Sequence, residues 1–456
     1  MQFVVIGGSV AGLVTALFAA RHGHDVTVLE RDAAEPPDTV DGAWRTWNRR
    51  VPQFRQFHGY QSLARDVLCE EAPDIVAALK AEGAYEATIA PATERDAAVV
   101  QLRCRRVVLE LVLRRAILAS RRVRFLPGVT VAGLLRGADA TRSLPTITGI
   151  VTDHGEEVRA DLVVDASGRR SSSDAWLGST GCTPARLETV PTGQVYFTRW
   201  YRAEDPERFG GALTRVELDF ATCIIAPADH GWFSVTFFAP AGDAALRTVL
   251  GDGDAFHRAA LSLTSIRSRF DQSPVSPQGD VMFMGGLANQ LRLLTESSGP
   301  VAAGLVAVAD ALLTTNPTWG RGVGLAFRHA ADLIALCDEA NGPQDLAEAF
   351  HDATRRTVRP WFFDTLALDE ETNDRWSSSS GRRSGQKSPR PALPHRCVVA
   401  AAQHDADVFQ RYSRYRNLLI PPDSFWNDPV ILERVAVTPS EPLDPSKERF
   451  LRAAVA

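Results

Sequence analysis

The sequence predicts an α/β chain: a Rossmann-like domain on a parallel sheet, interrupted by an inserted antiparallel β-sheet and followed by a helical C-terminal region. Three observations predict it. A strand, a glycine-rich turn and an apolar helix open the chain. A second glycine-rich helix start recurs far downstream, after Asn316. Between the two, aromatic and β-branched runs replace helical periodicity.

The first element is "QFVVI", a β-branched run suited to a strand covered on both faces. "GGSVAG", positions 7–12, follows and nearly matches G-x-G-x-x-G, with Ser9 in place of the middle glycine. Gly7 makes the tight turn, and Gly12 lets the next helix approach the sheet. "LVTALFAARHG" has helical length and a stop at Gly23. "DVTVLERD" is the next strand and brings Glu30 18 residues after Gly12. A carboxylate at about 20 residues' spacing bonds ribose hydroxyls. The helix start offers N–H groups and a positive dipole end to a pyrophosphate. This unit alone leaves NAD, NADP and FAD open.

"RADLVVDASGRRSS", residues 159–172, is a strand running into Asp165 and a turn of small residues. "GLVAVADALLTTNPTWGRGVGLAFRHAADLIAL", from Gly304, reads as a strand ending at Asp310, a loop with Asn316 and Pro317, and a long helix opened by Gly320, Arg321 and Gly322. Two such helix starts suit one dinucleotide only if it is long and extended, as FAD is. A helix N-terminus aimed at the flavin N1–C2=O edge stabilises the negative charge of the reduced ring.

Taken together, "GGSVAGL…VTVLER", "LVVDASGRRS" and "ADALLTTNPTWGRGVGLA" resemble the aromatic-hydroxylase type (groups A and E) of FAD-dependent monooxygenase. "VPQFRQFHGY" is similar to a V-P-Q-x-R-x-x-H stretch of bacterial epoxidases that act on polyether-precursor polyenes. The resemblance covers residues 1–375. It departs from the family at Ala309, where glycine is usual, and at Arg321, where glutamine is common.

The resemblance implies a glutathione-reductase-type FAD-binding domain in two parts, 1–179 and 276–375, around a mostly β substrate domain over 180–275. A Ser/Arg/Pro-rich linker or mobile loop is expected over 376–395. A helical cap over 396–456, packed on the FAD domain or forming a dimer contact, completes the chain. It implies cofactor contacts from Gly7, Ser9, Val10, Ala11, Gly12, Glu30, Arg31, Arg106, Val131, Asp165, Asp310, Pro317, Gly320, Arg321, Gly322 and Val323. Arg55, His58, Tyr196 and Arg199 are the candidate polar groups at the reacting centre. In "QVYFTRW", Tyr196 and Thr198 share one strand face, and Phe197 and Arg199 the other; the pattern leaves open which face meets the pocket.

The implied reaction is monooxygenation, by epoxidation or hydroxylation. A C4a-hydroperoxide of reduced flavin passes oxygen to a hydrophobic unsaturated or aromatic natural-product intermediate. O2 is the co-substrate, and NAD(P)H or a separate flavin reductase is the electron source. A flavin-dependent alkene (prenyl-type) reductase and a non-enzymatic binding protein share the fold as rivals. Flavin halogenases also share it, but their W-x-W-x-I-P motif and early catalytic lysine are missing: lysine occurs only at Lys80, Lys387 and Lys447.

Bulk properties agree. With 456 residues, two or three domains are expected, as a monomer or homodimer. A formal net charge of -5 argues against broad nucleic-acid binding. No run of 18 apolar residues predicts a membrane span, and no basic segment precedes the first strand. The six cysteines form no C-x-x-C and read as scattered buried thiols of a reducing compartment, so a cytoplasmic protein is expected. No metal-ligand cluster is read.

Overall fold

The computed structural model describes residues 1–47, 50–137, 144–211, 213–296, 299–378, 393–435 and 445–455. With elements numbered in chain order, five parallel strands form the central sheet in the order β20 (Leu305–Ala307), β9 (Leu162–Asp165), β1 (Gln2–Ile6), β2 (Asp25–Glu30) and β5 (Val123–Pro127). Ile6 of β1 lies opposite Leu29 of β2 and Asp165 of β9. Their carboxyl ends therefore finish together, and that edge is where open α/β sheets bind ligands.

Side chains alternate across this sheet. Phe3, Val5, Val26 and Val28 face a helical layer. It comprises α1 (Val10–Arg21), α2 (Val40–Thr46), α3 (Ser62–Glu71), α4 (Pro73–Ala81), α5 (Arg106–Ala119) and α11 (Gly322–Glu339). Val4, Ile6, Leu29 and Val163 face the opposite way, onto a small antiparallel sheet of β6 (Val131–Arg136), β7 (Ile147–Thr152) and β8 (Glu157–Arg159). The hairpin β3 (Tyr85–Ala90) and β4 (Val99–Arg103) runs into α5. The short α6 (Ser173–Ser179) follows β9.

The chain leaves this domain through β10 (Arg186–Pro191) and returns through β17 (Ala288–Leu293), which pairs with both β10 and β21 (Leu313–Thr314). Between them lies an antiparallel sheet in the order β12 (Thr214–Glu217), β13 (Thr222–Pro227), β14 (Trp232–Pro240), β11 (Gln194–Ala203) and β15 (Val275–Pro277), with β16 (Met282–Met284) also on β11. The sheet thus runs past the expected limit at 275, through Met284. The connection α7 (Pro206–Phe209) follows β11, and the pair β18 (Thr295–Glu296) and β19 (Gly299–Pro300) follows β17.

One face of the insert, with Phe197, Tyr201, Ile225, Phe233 and Phe237, is covered by α8 (Ala244–Gly251), α9 (Gly253–Leu261) and α10 (Thr264–Phe270). The other face carries Tyr196, Ile224 and Phe238 and packs with Leu287 and Trp376.

After α12 (Pro343–Thr357), the helix α13 (Arg359–Ser378) spans part of the expected linker: residues 376–378 complete it, and 379–392 lie outside the described residues. The C-terminal region divides in two, which corrects the expectation of a single cap. The helices α14 (His395–Ala402), α15 (Ala406–Arg416), α16 (Pro422–Trp426) and α17 (Pro429–Arg434) pack with α13 and β21 beside the start of α11. The last helix, α18 (Lys447–Val455), packs instead on the insert. Its Phe450 ring lies 5.2 Å from Phe220 and 5.7 Å from Phe237. Among the described residues, no helix is long and apolar enough to cross a membrane. All six cysteines are free thiols.

Candidate active site

The glycine turn after β1 is closed so tightly that only glycine fits. Gly7 has φ +109°, and a Cβ there would lie 2.7 Å from the Ala166 carbonyl oxygen. A Cβ at Gly12 would lie 1.8 Å from the Gly7 carbonyl oxygen. The first bond of α1 runs from the Leu13 N–H to the Ser9 carbonyl at 2.9 Å, so the N–H groups of Val10, Ala11 and Gly12 have no intrahelical acceptor. Glu30 ends β2 with its carboxylate fixed: Oε2 accepts from the Gly8 N–H at 2.7 Å and Oε1 from the Asp32 N–H at 2.8 Å.

Arg106 opens α5 and reaches across to this turn. Its Nε donates to Glu110 at 3.0 Å and its Nη2 to the Ser9 hydroxyl at 2.8 Å. Its Nη1 lies 3.0 Å from His58 Nε2. A guanidinium only donates, so His58 Nε2 accepts and its Nδ1–H donates to the Gln56 carbonyl at 2.9 Å. Burial first, then the Arg106 charge, lowers the His58 pKa to about 3, and the ring is neutral. The serine that replaced a glycine in the fingerprint therefore anchors an arginine beside the pyrophosphate position.

The second turn has its own strain. Ala309, where the family pattern has glycine, sits at φ +52°. It turns the chain so that Asp310 enters the cleft, where its carboxylate has no hydrogen-bond partner among the described residues. Burial raises the Asp310 pKa, with Arg106 and Arg169 opposing. Asn316 and Trp319 are then held by one buried carboxylate: Asp369 Oδ1 accepts from Asn316 Nδ2 at 2.7 Å and Trp319 Nε1 at 2.8 Å. Gly320 has φ +67°, and α11 starts at Gly322. The first bond of that helix is Leu325 N–H to Arg321 carbonyl, so the N–H groups of Gly322, Val323 and Gly324 have no intrahelical acceptor, and Gly322 and Val323 line the cleft.

These parts line one cleft of about 270 Å³ running from Ser9, Arg31 and Arg106 past Asp310 to Pro317 and Val323. Tyr196, Met284 and Leu287 of the insert side close it. The residues fit FAD. Helix starts lie at both ends, a close-packed glycine turn sits at one, and an unpartnered carboxylate lies between them for the ribityl hydroxyls. Two basic residues that sequence reasoning passed over, Arg169 and Arg170, also line it; the Arg-Arg pair just after Gly168 was the available signal.

The side chains of five expected contacts point elsewhere, although the Arg321 backbone lines the cleft. Arg55 donates to the Trp44 and Arg45 carbonyls at 2.6 and 2.7 Å and serves its own loop. Arg199 stands on the strand face opposite Tyr196 and donates to the Gly253 carbonyl at 2.6 Å, so strand alternation removes it from the cleft. Arg321 turns its side chain away to pair with Asp364 and donate to Tyr415 Oη at 3.1 Å. Val131 packs in the core between the parallel sheet and β6–β8. Asp165 is fully buried and accepts from the Ser167 N–H at 3.0 Å and from the hydroxyls of Ser167, Ser171 and Ser173, so it shapes the turn rather than lining the cleft.

Residues 2–93 match the family model described as DAO, FAD dependent oxidoreductase. Over 396 residues the chain is 26% identical to Protein Rv3254 of Mycobacterium tuberculosis, covering 80% of this chain and 79% of that one. It is similar in structure to PqsL, a probable FAD-dependent monooxygenase from Pseudomonas aeruginosa. That match has a TM-score of 0.62 and 15% identity, with 84% of this chain and 100% of that chain covered. It is also similar to the flavin-dependent brominase Bmp2, with a TM-score of 0.61 and 16% identity, covering 95% of this chain and 98% of that one. Residues 2–93 are thus similar to an FAD dependent oxidoreductase model, and the fold as a whole is the one these flavin-dependent enzymes share.

Proposed function

We propose that the protein is an FAD-dependent monooxygenase that adds one oxygen atom of O2 to a hydrophobic unsaturated or aromatic natural-product intermediate. One observation carries the reading. A second cavity, of about 800 Å³, opens on the other side of the Pro317–Gly320 turn and shares Phe57, Gly59, Pro317 and Gly320 with the FAD cleft. A molecule held there lies against the ring end of the cofactor, walled by Ile89, Ile224 and Phe409.

Reduced FAD supplies the oxygen-activating chemistry when bound. The chain supplies position and charge. Arg106 is a fixed cation for the phosphates. The α11 N-terminus offers its dipole to anionic charge at the ring. Tyr196 stays a neutral phenol, its pKa raised by burial against Arg169 and Arg106, and can donate one hydrogen bond into the cleft. The insert sheet and C-terminal helices wall the cavity. Electrons come from NAD(P)H at the same cleft or from a separate flavin reductase.

The test is turnover under labelled O2 in ordinary water with reduced protein. One labelled oxygen in the product is expected. Oxygen from water, or two added hydrogens without oxygen, would overturn the reading, the latter in favour of an alkene reductase. Protein that purifies colourless and takes up no FAD would favour a binding protein.

A further inference from the structure

The 800 Å³ cavity is walled by both apolar and polar side chains, and three arginines line it. Arg103 on β4 is only 3% exposed. It donates one bond, from Nη2 to Gln101 Oε1, and its buried Nε has no partner. Arg416, at the end of α15, makes no side-chain hydrogen bond or ion pair among the described residues, and its Nη1 is buried without a partner. Burial lowers the pKa of both, that of Arg103 to about 10.

The third, Arg215 on β12, shares a carboxylate with another arginine. Glu217 accepts from its Nε at 2.7 Å and also pairs with Arg375. Burial alone would raise the Glu217 pKa, but the two arginines hold it well below the usual carboxylate range. The guanidinium carbons of Arg215 and Arg416 lie 5.3 and 5.1 Å from the Trp319 ring centroid. That ring is in turn tied to Asp369, and the stack fixes both cations beside the turn that borders the FAD cleft. Gln101 joins the two free arginines: its Nε2 donates to Asn417 Oδ1 at 2.5 Å, and Asn417 adjoins Arg416 in the chain.

A buried cation without an anion is costly, and proteins keep one where a ligand completes it. The carboxylate on the cavity rim does not complete it: Asp405 is turned to Arg434 and to the N–H groups that open α15.

We propose that this cavity binds an amphipathic acid, an apolar molecule bearing a carboxylate that Arg103 and Arg416 hold. This rests on the monooxygenase reading for the identity of the cavity as the substrate site. The apolar part then extends past Ile224 and Phe57 toward the shared wall at Pro317 and Gly320. The acid group acts as a handle that orients the apolar part.

The experiment compares retinoic, 2-naphthoic and oleic acids with their methyl esters. Each is titrated into FAD-loaded protein and followed by flavin difference absorbance. The acid of a pair is expected to bind about ten- to a hundredfold more tightly than its ester, the range for a lost charge-assisted contact. Arg416→Gln, which breaks no protein hydrogen bond, should keep FAD and ester binding and remove most of the preference. Arg416→Lys should restore part of it.

Equal binding of acid and ester, no acid bound at all, or a preference untouched by Arg416→Gln overturns the proposal. The wild-type comparison decides even if the variant fails to fold. Acid preference without oxygen incorporation keeps the anion site and sinks the oxygenase reading. Oxygenation of neutral substrates without acid preference does the reverse.

Discussion

Two neighbouring residues show how differently a site and its scaffold respond to change. Asp310 faces the cleft with no hydrogen-bond partner among the described residues, so its removal leaves none of their polar groups unpaired and takes a contact only from the ligand. Asp310→Ala is expected to weaken FAD binding by about ten- to a hundredfold, with little change in stability of the unloaded protein. His58→Ala acts through Arg106 and should cost less affinity. A titration with the order reversed would place Asp310 outside the cofactor contact. Ala309, one position earlier, carries its strain in the backbone, at φ +52°. Relief of left-handed strain is worth roughly 1–2 kcal/mol, and the added freedom of the unfolded chain returns about 0.4–1 kcal/mol of it. Ala309→Gly should therefore stabilise the protein by up to about 1.5 kcal/mol in urea melts with FAD retained. A destabilised variant would mean that the alanine methyl packs better than the backbone suffers.

At the scale of elements, what the sequence makes legible is what is local. The turn at Gly7, the fixed tip at Glu30 and the helix start at Gly322 each lie within one strand–turn–helix unit, so spacing alone places them. Strand alternation in "QVYFTRW" correctly separates Tyr196 from Arg199, but only the packing of the insert says which face meets the cleft. The arginine-lined cavity is not legible at all. Arg103, Arg215 and Arg416 come from a hairpin, the insert and the C-terminal helices, and nothing local in the sequence links them. The same is true of α18. Its apolar residues could pack anywhere, and the structure puts Phe450 among Phe220 and Phe237 of the insert. Phe450→Ala should cost about 3–5 kcal/mol of insert stability, as for other buried phenylalanines. FAD should stay bound, because the cofactor domain shares no core with that ring. Loss of FAD at the same denaturant concentration as the insert unfolds would show instead that the two domains melt as one unit.

The whole molecule carries a pH dependence set by buried histidines in separate places. His58 lies against Arg106. His329 stacks on Phe350 with ring centroids 4.5 Å apart. His395 lies beside Trp319 and bonds Tyr412. Burial lowers each pKa from 6.5 to about 3, with Glu217 partly opposing at His395. Below pH 6.5 the unfolded chain therefore binds protons that the native one refuses. Stability is lost as pH falls from 6.5 toward 3, by about 1.4 kcal/mol per unit for each ring. Asp369 and Asp310 work the other way: burial raises both pKa values, that of Asp369 to about 6, so their contribution grows as pH falls toward 3.8, but they are two groups against three. The expected melting temperature is level above pH 7 and drops steeply below 6.5. His329→Leu, which lies outside both cavities, should remove about a third of that slope. Protonation of His58 would place two cations 3.0 Å apart beside the phosphate position, so FAD release should track the same acid limb. A melting temperature unchanged between pH 7 and 5 would mean that these rings titrate in the folded protein as they do in water.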